Sequence, residues 1–589
     1  MKELLRDALT DSLKSLEEQY DVDLSTIKIE VKENKEKDFG DFSTNLALVL
    51  SKKLSEQPKK IAEILLGELD KKEFIDSIEI AGPGFINFFL SQTSRTEILK
   101  TVNKEKNKFG FSQKKETEPD KILIEYVSSN PTGPLHVGHG RGAAFGSVLS
   151  SILRATGNQV DEEYYVNDQG RQIEILSLSV WLRYLMIFNQ INLFPNNCYQ
   201  GTYIKELAKE LEKDYGEKFS ITKEIENQIS QILQLDMEEE ALDSLISQSK
   251  EALNEGFDEI KSFSLSRILK NIEGDLKDFG VEHNSWFKES TMFSAVKNKA
   301  PLIFKALDSL EAKKQLYEKD GALWFKSTDF GDEKDRVVKR ENGATTYFAS
   351  DIAYHANKYD RGYSKIINIW GADHHGYLPR VKAAMSALDE DTEKFEVVFI
   401  QFANLIRNGK KLSMSTRAGE FISLSELIEE VTSEAARFFY INRKGNQHLD
   451  FDLDLAKEQS KDNPLYYVQY AHARICSVFD KLKENKKSYK ESIAMDSLDQ
   501  LNSEQEIEIQ KLLSQFPEVV IRSAANYEPH LICYYLRQLA GTFHSYYNNE
   551  KILVEEESTL QARLFLISAV RQVVFNGLTI LGISAPETM

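Results

Sequence analysis

The sequence predicts an α/β fold, a doubly wound parallel sheet, preceded by an α+β domain and followed by an all-helical one. Three observations carry this expectation. The stretch Lys121 to Gly146, KILIEYVSSNPTGPLHVGHGRGAAFG, reads as a buried strand, a turn and a helix start rich in glycine and alanine. Downstream, Ile366-Ile367-Asn368-Ile369-Trp370-Gly371 reads as another buried strand, ending in the polar cluster Asp373-His374-His375. From Asn463 onward, apolar residues recur at helical spacing: Ile532, Leu536, Leu539, Ala540 and Phe543, then Phe565, Leu566, Val570 and Val573.

Residues 1–108 read as a separate domain. Leu4, Leu5, Ala8, Leu9 and Leu13 follow a helical period, and Ile27, Ile29 and Val31 alternate as in a strand. Gly40 to Asn45 reads as a loop-to-helix entry capped by Ser43 or Thr44. Ile78 to Phe88 reads as strand, glycine turn, strand, and Lys104 to Lys115 as a charged linker. The α/β domain spans 109–458. After the first strand, Asn130, Pro131, Gly133 and Pro134 turn the chain. A strand feeding a turn and then a helix aims free N–H groups and a positive dipole end at one point, which suits phosphate. His136 and His139 add donors there, and Gly138 between them allows close approach.

Tyr164 to Gly170 is a second strand with a polar end, followed by a helix through Ile173, Leu176, Leu178 and Leu182. Residues from about 189 to 315 form a helical, polar insertion in which nothing suggests chemistry. The second half of the sheet is expected from Ala322–Phe325, Asp335–Val338, Thr345–His355 (strand into helix) and Val397–Phe402. Glu125 to Asn130, Asp351 and Asp373 fall near carboxyl ends of strands, where doubly wound sheets hold ligands. Asp373-His374-His375 offers metal-ligand atoms, but adjacent histidines on a strand face opposite ways, so no metal site is expected. Asn404 to Gly419 is glycine-bounded, cationic and hydroxyl-rich, the character of a phosphate clamp. A helix over Ser425–Tyr440 and a second linker over Lys444–Asn463 lead into the helical domain, 459–589.

HVGH resembles the first signature of class I aminoacyl-tRNA synthetases, and EYVSSNPTGPLHVGHGRGAAFG is similar to that of the arginyl-tRNA synthetases. FGDFSTNLAL and IAGPGFINFFL resemble that family's N-terminal extension, which touches the outer corner of tRNA. NPLYYVQYAHARI, YLRQLAGTFHSYYNN and LTILGISAPETM resemble its C-terminal anticodon-binding domain. The resemblance covers nearly the whole chain and is weakest in the insertion. It implies a Rossmann-like class I synthetase catalytic domain that activates L-arginine with ATP, accompanied by Mg²⁺. The arginyl-adenylate then passes its amino acid to the 3′ end of tRNA(Arg). The clamp resembles the second signature, KMSK. Met414-Ser415 match its centre, but Ser413 and Thr416 stand in place of its lysines. Whether Lys410, Lys411 or Arg417 supplies the charge is open.

The resemblance implies catalytic roles for His136, His139, Lys410, Lys411 and Arg417, and ATP contacts from His136, Gly138, His139, Gly140, Leu405, Met414 and Ser415. Paired carboxylates read a planar guanidinium and reject a compact ammonium. The matching positions of the family motif make Glu125 and Asp351 the candidates, with Tyr347 beside them; Tyr347 shares a face with Asp351 if the segment is helical. Ser128 and Asn130, with Asp373, fall to the α-amino group, and His136 lies near the same substrate. A competing reading makes Asp351 a helix N-cap.

The 589 residues are too many for one core. A net charge of −19 argues against a general nucleic-acid binder, though a local basic face suffices for one tRNA. No apolar run is long enough for a bilayer, and the acid-bearing N-terminus is no signal peptide, so no membrane is expected. Cys198, Cys476 and Cys533 lie far apart, which speaks against disulfides and zinc knuckles and fits the cytoplasm. The expected state is a monomer. Other readings are a class I enzyme for another amino acid, a nucleotidyltransferase sharing only HxGH, and a tRNA-binding paralogue without catalysis.

Overall fold

The computed structural model describes residues 2–34, 36–69, 72–111, 119–234, 239–295, 300–412 and 422–589. At its centre are five parallel strands: β1 (Lys121–Glu125), β2 (Gln159–Val166), β3 (Ser285–Lys288), β4 (Lys365–Gly371) and β5 (Phe395–Ile400), in the order β5-β4-β1-β2-β3. Ile122, Leu123 and Ile124 are all buried, as expected of a strand covered on both faces. The chain lays β1, β2 and β3 outward, then returns to place β4 beside β1. That reversal opens a crevice at the carboxyl ends of β1 and β4. Three helices border it: α1 (Val137–Ala155), α2 (Arg171–Ile187) and α3 (Tyr347–Asp360).

The edge strand β3 lies within the stretch expected to be a helical insertion. Its first three residues are half-buried and Lys288 is exposed, with too little apolar pattern to stand out. Helices Thr202–Tyr215, Lys223–Leu233, Glu239–Leu253 and Glu255–Asp278 make up the rest. Conversely, Ala322–Phe325 and Arg336–Lys339 do not join the parallel sheet. They pair antiparallel with Leu316–Lys319 in a small sheet of their own. The helix expected over Ser425–Tyr440 is two, Leu424–Val431 and Ser433–Ile441, broken at Thr432 with φ +75°.

The N-terminal unit packs helices Lys2–Tyr20, Leu46–Leu54 and Pro58–Leu69 on a four-stranded antiparallel sheet. Ile27–Val31 is not a strand; the first one is Lys32–Glu33. Phe42–Thr44 is a short strand that leads into the helix Leu46–Leu54, whose N-cap is Asn45 rather than Ser43 or Thr44, although Thr44 Oγ1 accepts from the Leu46 N–H. This unit's core closes at Leu90, not at 108. Helix Gln92–Glu105 covers the start of the expected linker and buries Leu99 and Val102 in the larger core shared with the C-terminal helices. Nor is Lys444–Asn463 a linker: Leu449, Phe451 and Leu453 are buried, and Leu449–Asp452 pairs with Ala403–Arg407.

The C-terminal helices are Pro464–Glu484, Glu491–Asp496, Glu504–Ala525, His530–Asn549 and Glu557–Ile580. By length and composition the last is apolar enough to cross a bilayer, contrary to expectation, but it packs mostly inside the protein. Buried Arg437 ties this domain to the sheet domain. It donates to the carbonyls of Leu581, Phe279 and Gly280, at the ends of two helices, and to Ser147 Oγ on α1.

Gly146 on α1 lies against the ring of Tyr126, which a Cβ there would meet at 2.3 Å. Alanine normally favours a helix interior by about 1 kcal/mol over glycine. Here the fully buried ring outweighs that gain. Gly146→Ala is expected to destabilise by about 1–3 kcal/mol, read as a lower midpoint of thermal unfolding.

Candidate active site

A cleft of about 790 Å³ opens at the carboxyl ends of β1 and β4. Ser128, Asn130, His136, Gly138, His139 and Asp373 line it, joined by Tyr199, Tyr203, Gln172 and Phe402. The first group was anticipated from the sequence; Tyr199 and Tyr203 come from the stretch in which nothing suggested chemistry.

His136 is the N-cap of α1, and its Nδ1 accepts from the Gly138 N–H at 3.1 Å. His139 Nδ1 accepts from the His136 N–H at 3.3 Å, closing a capping box made by two imidazoles. The rings stack at 3.8 Å. An Nδ1 that accepts carries no proton, so each ring is the Nε2–H tautomer and presents that donor. Burial lowers the pKa of both, His139 to about 3 with help from the neighbouring His136. Both are neutral donors at pH 7. A Cβ on Gly138 would meet the His136 ring at 2.8 Å, so only glycine leaves that ring its place.

The turn from β1 into this element is strained. Val127 and Ser128 have φ of +68° and +42°. A β-branched residue in this region is held by its surroundings rather than by preference. Ser128 Oγ donates to Glu125 Oε1 (2.9 Å) and accepts from the Tyr165 N–H (3.1 Å), which secures the turn.

Behind the turn lies a nest of carboxylates. Asp351, in the second turn of α3, bonds to Tyr377, and Glu289, at the end of β3, bonds to Tyr165 and Ser350. Asp168 grips Ser290 through its N–H (2.8 Å) and Oγ (2.6 Å), which positions Glu289. Among the described residues neither Asp351 nor Glu289 makes an ion pair, whereas Glu125 pairs with Lys358 at 2.5 Å and Glu163 with Arg361 at 2.6 Å. Burial, then the charges of Glu289 and Glu125, push the Asp351 carboxyl up to about 7. Burial is also the main cause that raises Glu289. A buried and a half-buried carboxylate without a cation among the described residues suit a ligand that brings a planar, forked one.

Residues 99–450 match the family described as tRNA synthetases class I (R), catalytic domain. Residues 2–90 match the arginyl tRNA synthetase N terminal domain, and 468–589 the DALR anticodon binding domain. An arginine–tRNA ligase of Legionella pneumophila is 46% identical over 589 residues, covering 100% of this chain and 98% of the relative. The chain belongs to the arginyl-tRNA synthetase family. A second such ligase, from Nitrosomonas europaea, is 47% identical over 96% of this chain and 95% of its own. The arginyl-tRNA synthetase structure of Thermus thermophilus superposes with a TM-score of 0.72 over the whole of both chains; at 22% identity this speaks for the shared fold.

Within this family frame, several residues expected at the site stand elsewhere. Glu125 is not an open acceptor: both oxygens are engaged, one by Lys358 and one by Ser128. Gly140 is buried under Tyr440, whose hydroxyl caps the Val137 carbonyl, and so faces core rather than cleft. Leu405 points its side chain into the core from strand Ala403–Arg407, because alternation puts Asn404 and Ile406 on the other face. Lys410 and Lys411 are exposed on a two-residue strand paired with Arg407 and Ile406 and do not line the cleft. Met414, Ser415 and Arg417, with Ser413 and Thr416, lie outside the described residues. Just beyond them Ile422 and Leu424 hydrogen-bond to Val137 and Leu135, so the chain re-enters beside His136.

Asp351 is not an N-cap; Thr346 is, accepting from the Ala349 N–H. Tyr347 does share the helix with Asp351, but it is 60% exposed, with its hydroxyl over Gly170 at the start of α2. Asp373-His374-His375 forms a 3₁₀ turn, Ala372–Tyr377, rather than a strand end, so the opposite-face argument does not apply. His375 stacks on Phe399 at 3.6 Å. Glu289, Tyr165, Tyr377 and Lys358 escaped the sequence reading. Lys358 alone had a signal, lying one and two helical turns beyond His355 and Asp351 on the same face.

A guanidinium ligand must meet ionised acceptors, and a carboxyl raised to about 7 holds its proton below that pH. Affinity for a guanidinium compound is therefore expected to fall as pH drops through 7 and to level off above it. Asp351→Asn should abolish both the dependence and most of the binding, as calorimetric titration would show.

Proposed function

We infer that this chain is an arginine–tRNA ligase that activates L-arginine with ATP and passes the arginyl group to the 3′ end of tRNA(Arg). The observation that carries the reading is a pair of carboxylates without an ion pair among the described residues, half-buried Asp351 and buried Glu289, behind the turn that leads to a helix N-terminus capped by two neutral histidines. The carboxylates suit guanidinium, and the helix start that lines the cleft suits phosphate.

Activation joins the arginine carboxylate to the α-phosphate and expels pyrophosphate. Negative charge concentrates on phosphate oxygens, so positioned donors do most of the catalysis, and no covalent nucleophile is needed. In this reading the Nε2–H groups of His136 and His139 bond to those oxygens, assisted by the α1 dipole. Gly138 lets the nucleotide approach the backbone, while Ser128, Asn130 and Asp373 hold the α-amino group. Arg417 is left to add charge, from a segment whose far flank returns to Val137.

Mg²⁺ is expected with ATP. Among the described residues no three His, Cys, Asp or Glu side chains converge as a metal cage. In this reading such an ion is held chiefly by the triphosphate and water.

For tRNA, the C-terminal helices offer an aromatic and basic face. Tyr466 and Tyr470 stack at 5.9 Å, and Arg474 lies 4.6 Å over both Tyr470 and Tyr547. Nearby, Lys461, Tyr467, Tyr534 and Arg537 line a second hollow. Stacking surfaces with interleaved cations suit unpaired bases. Cys198, Cys476 and Cys533 are free and buried, which suits a reducing compartment.

Asparagine caps a helix about as well as any residue, so His136→Asn keeps the α1 N-cap and removes the imidazole. It is expected to leave thermal stability and tRNA binding near wild type while lowering arginine-dependent adenylate formation by about 10²–10³. Pyrophosphate exchange driven by lysine or glutamate instead of arginine in the wild-type protein would overturn the pocket assignment.

A further inference from the structure

We propose that Lys358 sets the charge of the arginine pocket: by cancelling Glu125 it leaves Asp351 and Glu289 as the acceptors for the substrate. The proposal rests on the arginine reading above. Lys358 touches no substrate and is a positioning residue.

Lys358 is fully buried on α3. Its Nζ lies 2.5 Å from Glu125 Oε2 on β1 and 2.7 Å from Asn368 Oδ1 on β4, and 4.4 Å over the Tyr354 ring. A lysine is rarely buried without a partner, and its position here reaches both walls of the pocket. On one side, Asn368 Nδ2 donates to His355 Nε2 (3.1 Å), which leaves His355 Nδ1–H to donate to the Asp351 carbonyl (2.8 Å). On the other, Glu125 Oε1 accepts from Ser128 Oγ and so secures the strained turn at the cleft. One ammonium group thus ties the helix that carries Asp351 to the turn that carries Ser128.

The charged and titratable groups around it come from every neighbouring element. Glu125 lies on β1, Glu163 and Tyr165 on β2, Glu289 after β3, and Asp351, Tyr354 and His355 on α3, with Arg361 just beyond. Arg361 already holds Glu163 through two bonds, 2.6 and 2.9 Å. His355 is neutral, lowered by burial to about 3. Lys358 is therefore the cation that balances Glu125. Without it a third carboxylate faces Asp351 and Glu289, and like charges hold protons on each other. The guanidinium then has to displace a proton over a wider pH range.

The test uses the full-length enzyme with saturating ATP and tRNA, arginine varied, from about pH 6 to 9. Lys358→Met is compared with Lys358→Met/Glu125→Gln, which removes both charges and restores the balance. The single variant is expected to raise KM for arginine about tenfold at pH 7, with kcat within about threefold. It also moves the acid limb of kcat/KM up by about one pH unit. The double variant is expected to return both to near wild type. An unmoved limb in the single variant, or an equally displaced limb in the double, overturns the proposal; a purely structural pair would give one of these. Where the single variant does not fold, Glu125→Gln decides: with Lys358 left unbalanced the acid limb is expected to move to lower pH, and an unmoved limb overturns the proposal. Wild-type activity toward arginine, measured alongside, separates failure of this proposal from failure of the arginine reading.

Discussion

Charge burial at the carboxyl edge of the sheet is the constraint on which the site depends. Glu125, Glu163 and Glu289 are buried and Asp351 half-buried beside them, and among the described residues only the first two meet a cation. An ionised carboxylate in such a place is costly unless it is paired, so the other two retain protons more readily. The protein carries this cost because its cores elsewhere are large and continuous. At the cleft itself the sign reverses. The start of α1 presents oriented N–H groups and two neutral imidazoles that cannot repel a cation but can donate to an anion. The strained turn at Val127 and Ser128 stands between the two regions, where a carboxylate attached to a guanidinium side chain would meet a phosphate.

The arrangement is held by cations that use backbone carbonyls. Arg141, in the first turns of α1, donates to the carbonyls of Gln401, Gln447 and Lys444. It thereby joins the helix of the histidines to the end of β5 and the segment before the helical domain. Arg437 does the same for the ends of two helices, one from the insertion and one from the C-terminal domain. Burial lowers both to about 10, so both stay charged at neutral pH. Carbonyls at helix ends supply the compensating negative potential without placing another acid in the core. The catalytic sheet and the helical domain are one packed body at this joint, which gives the C-terminal domain a rigid hold on α1.

Much of the architecture is local and was legible. β1, the turn at Asn130–Pro134 and α1 follow from adjacent residues, and the C-terminal helices follow from apolar stripes with a 3.6-residue period. The misreadings share a cause. Ile27–Val31 and Ala322–Phe325 have strand-like patterns, but strand pairing is decided by partners that the pattern does not name. β3 was missed because a short edge strand buries too little to mark its sequence. Leu405 and Gly140 fell within motif-like stretches, yet the one faces the core and the other sits under Tyr440.

By itself the sequence determined where the imidazoles cap a helix, which segments are helical, and to which family the chain belongs, because these are carried by neighbouring residues or by similarity along the chain. Only the tertiary structure decided which acids are free to meet a ligand. Glu125 looked like an open carboxylate until Lys358, 233 residues away, was found on it. Glu289 looked like part of an inert insertion until β3 placed it near Asp351. Pairing and desolvation of charge depend on what the fold gathers from distant parts of the chain, and no local pattern records that.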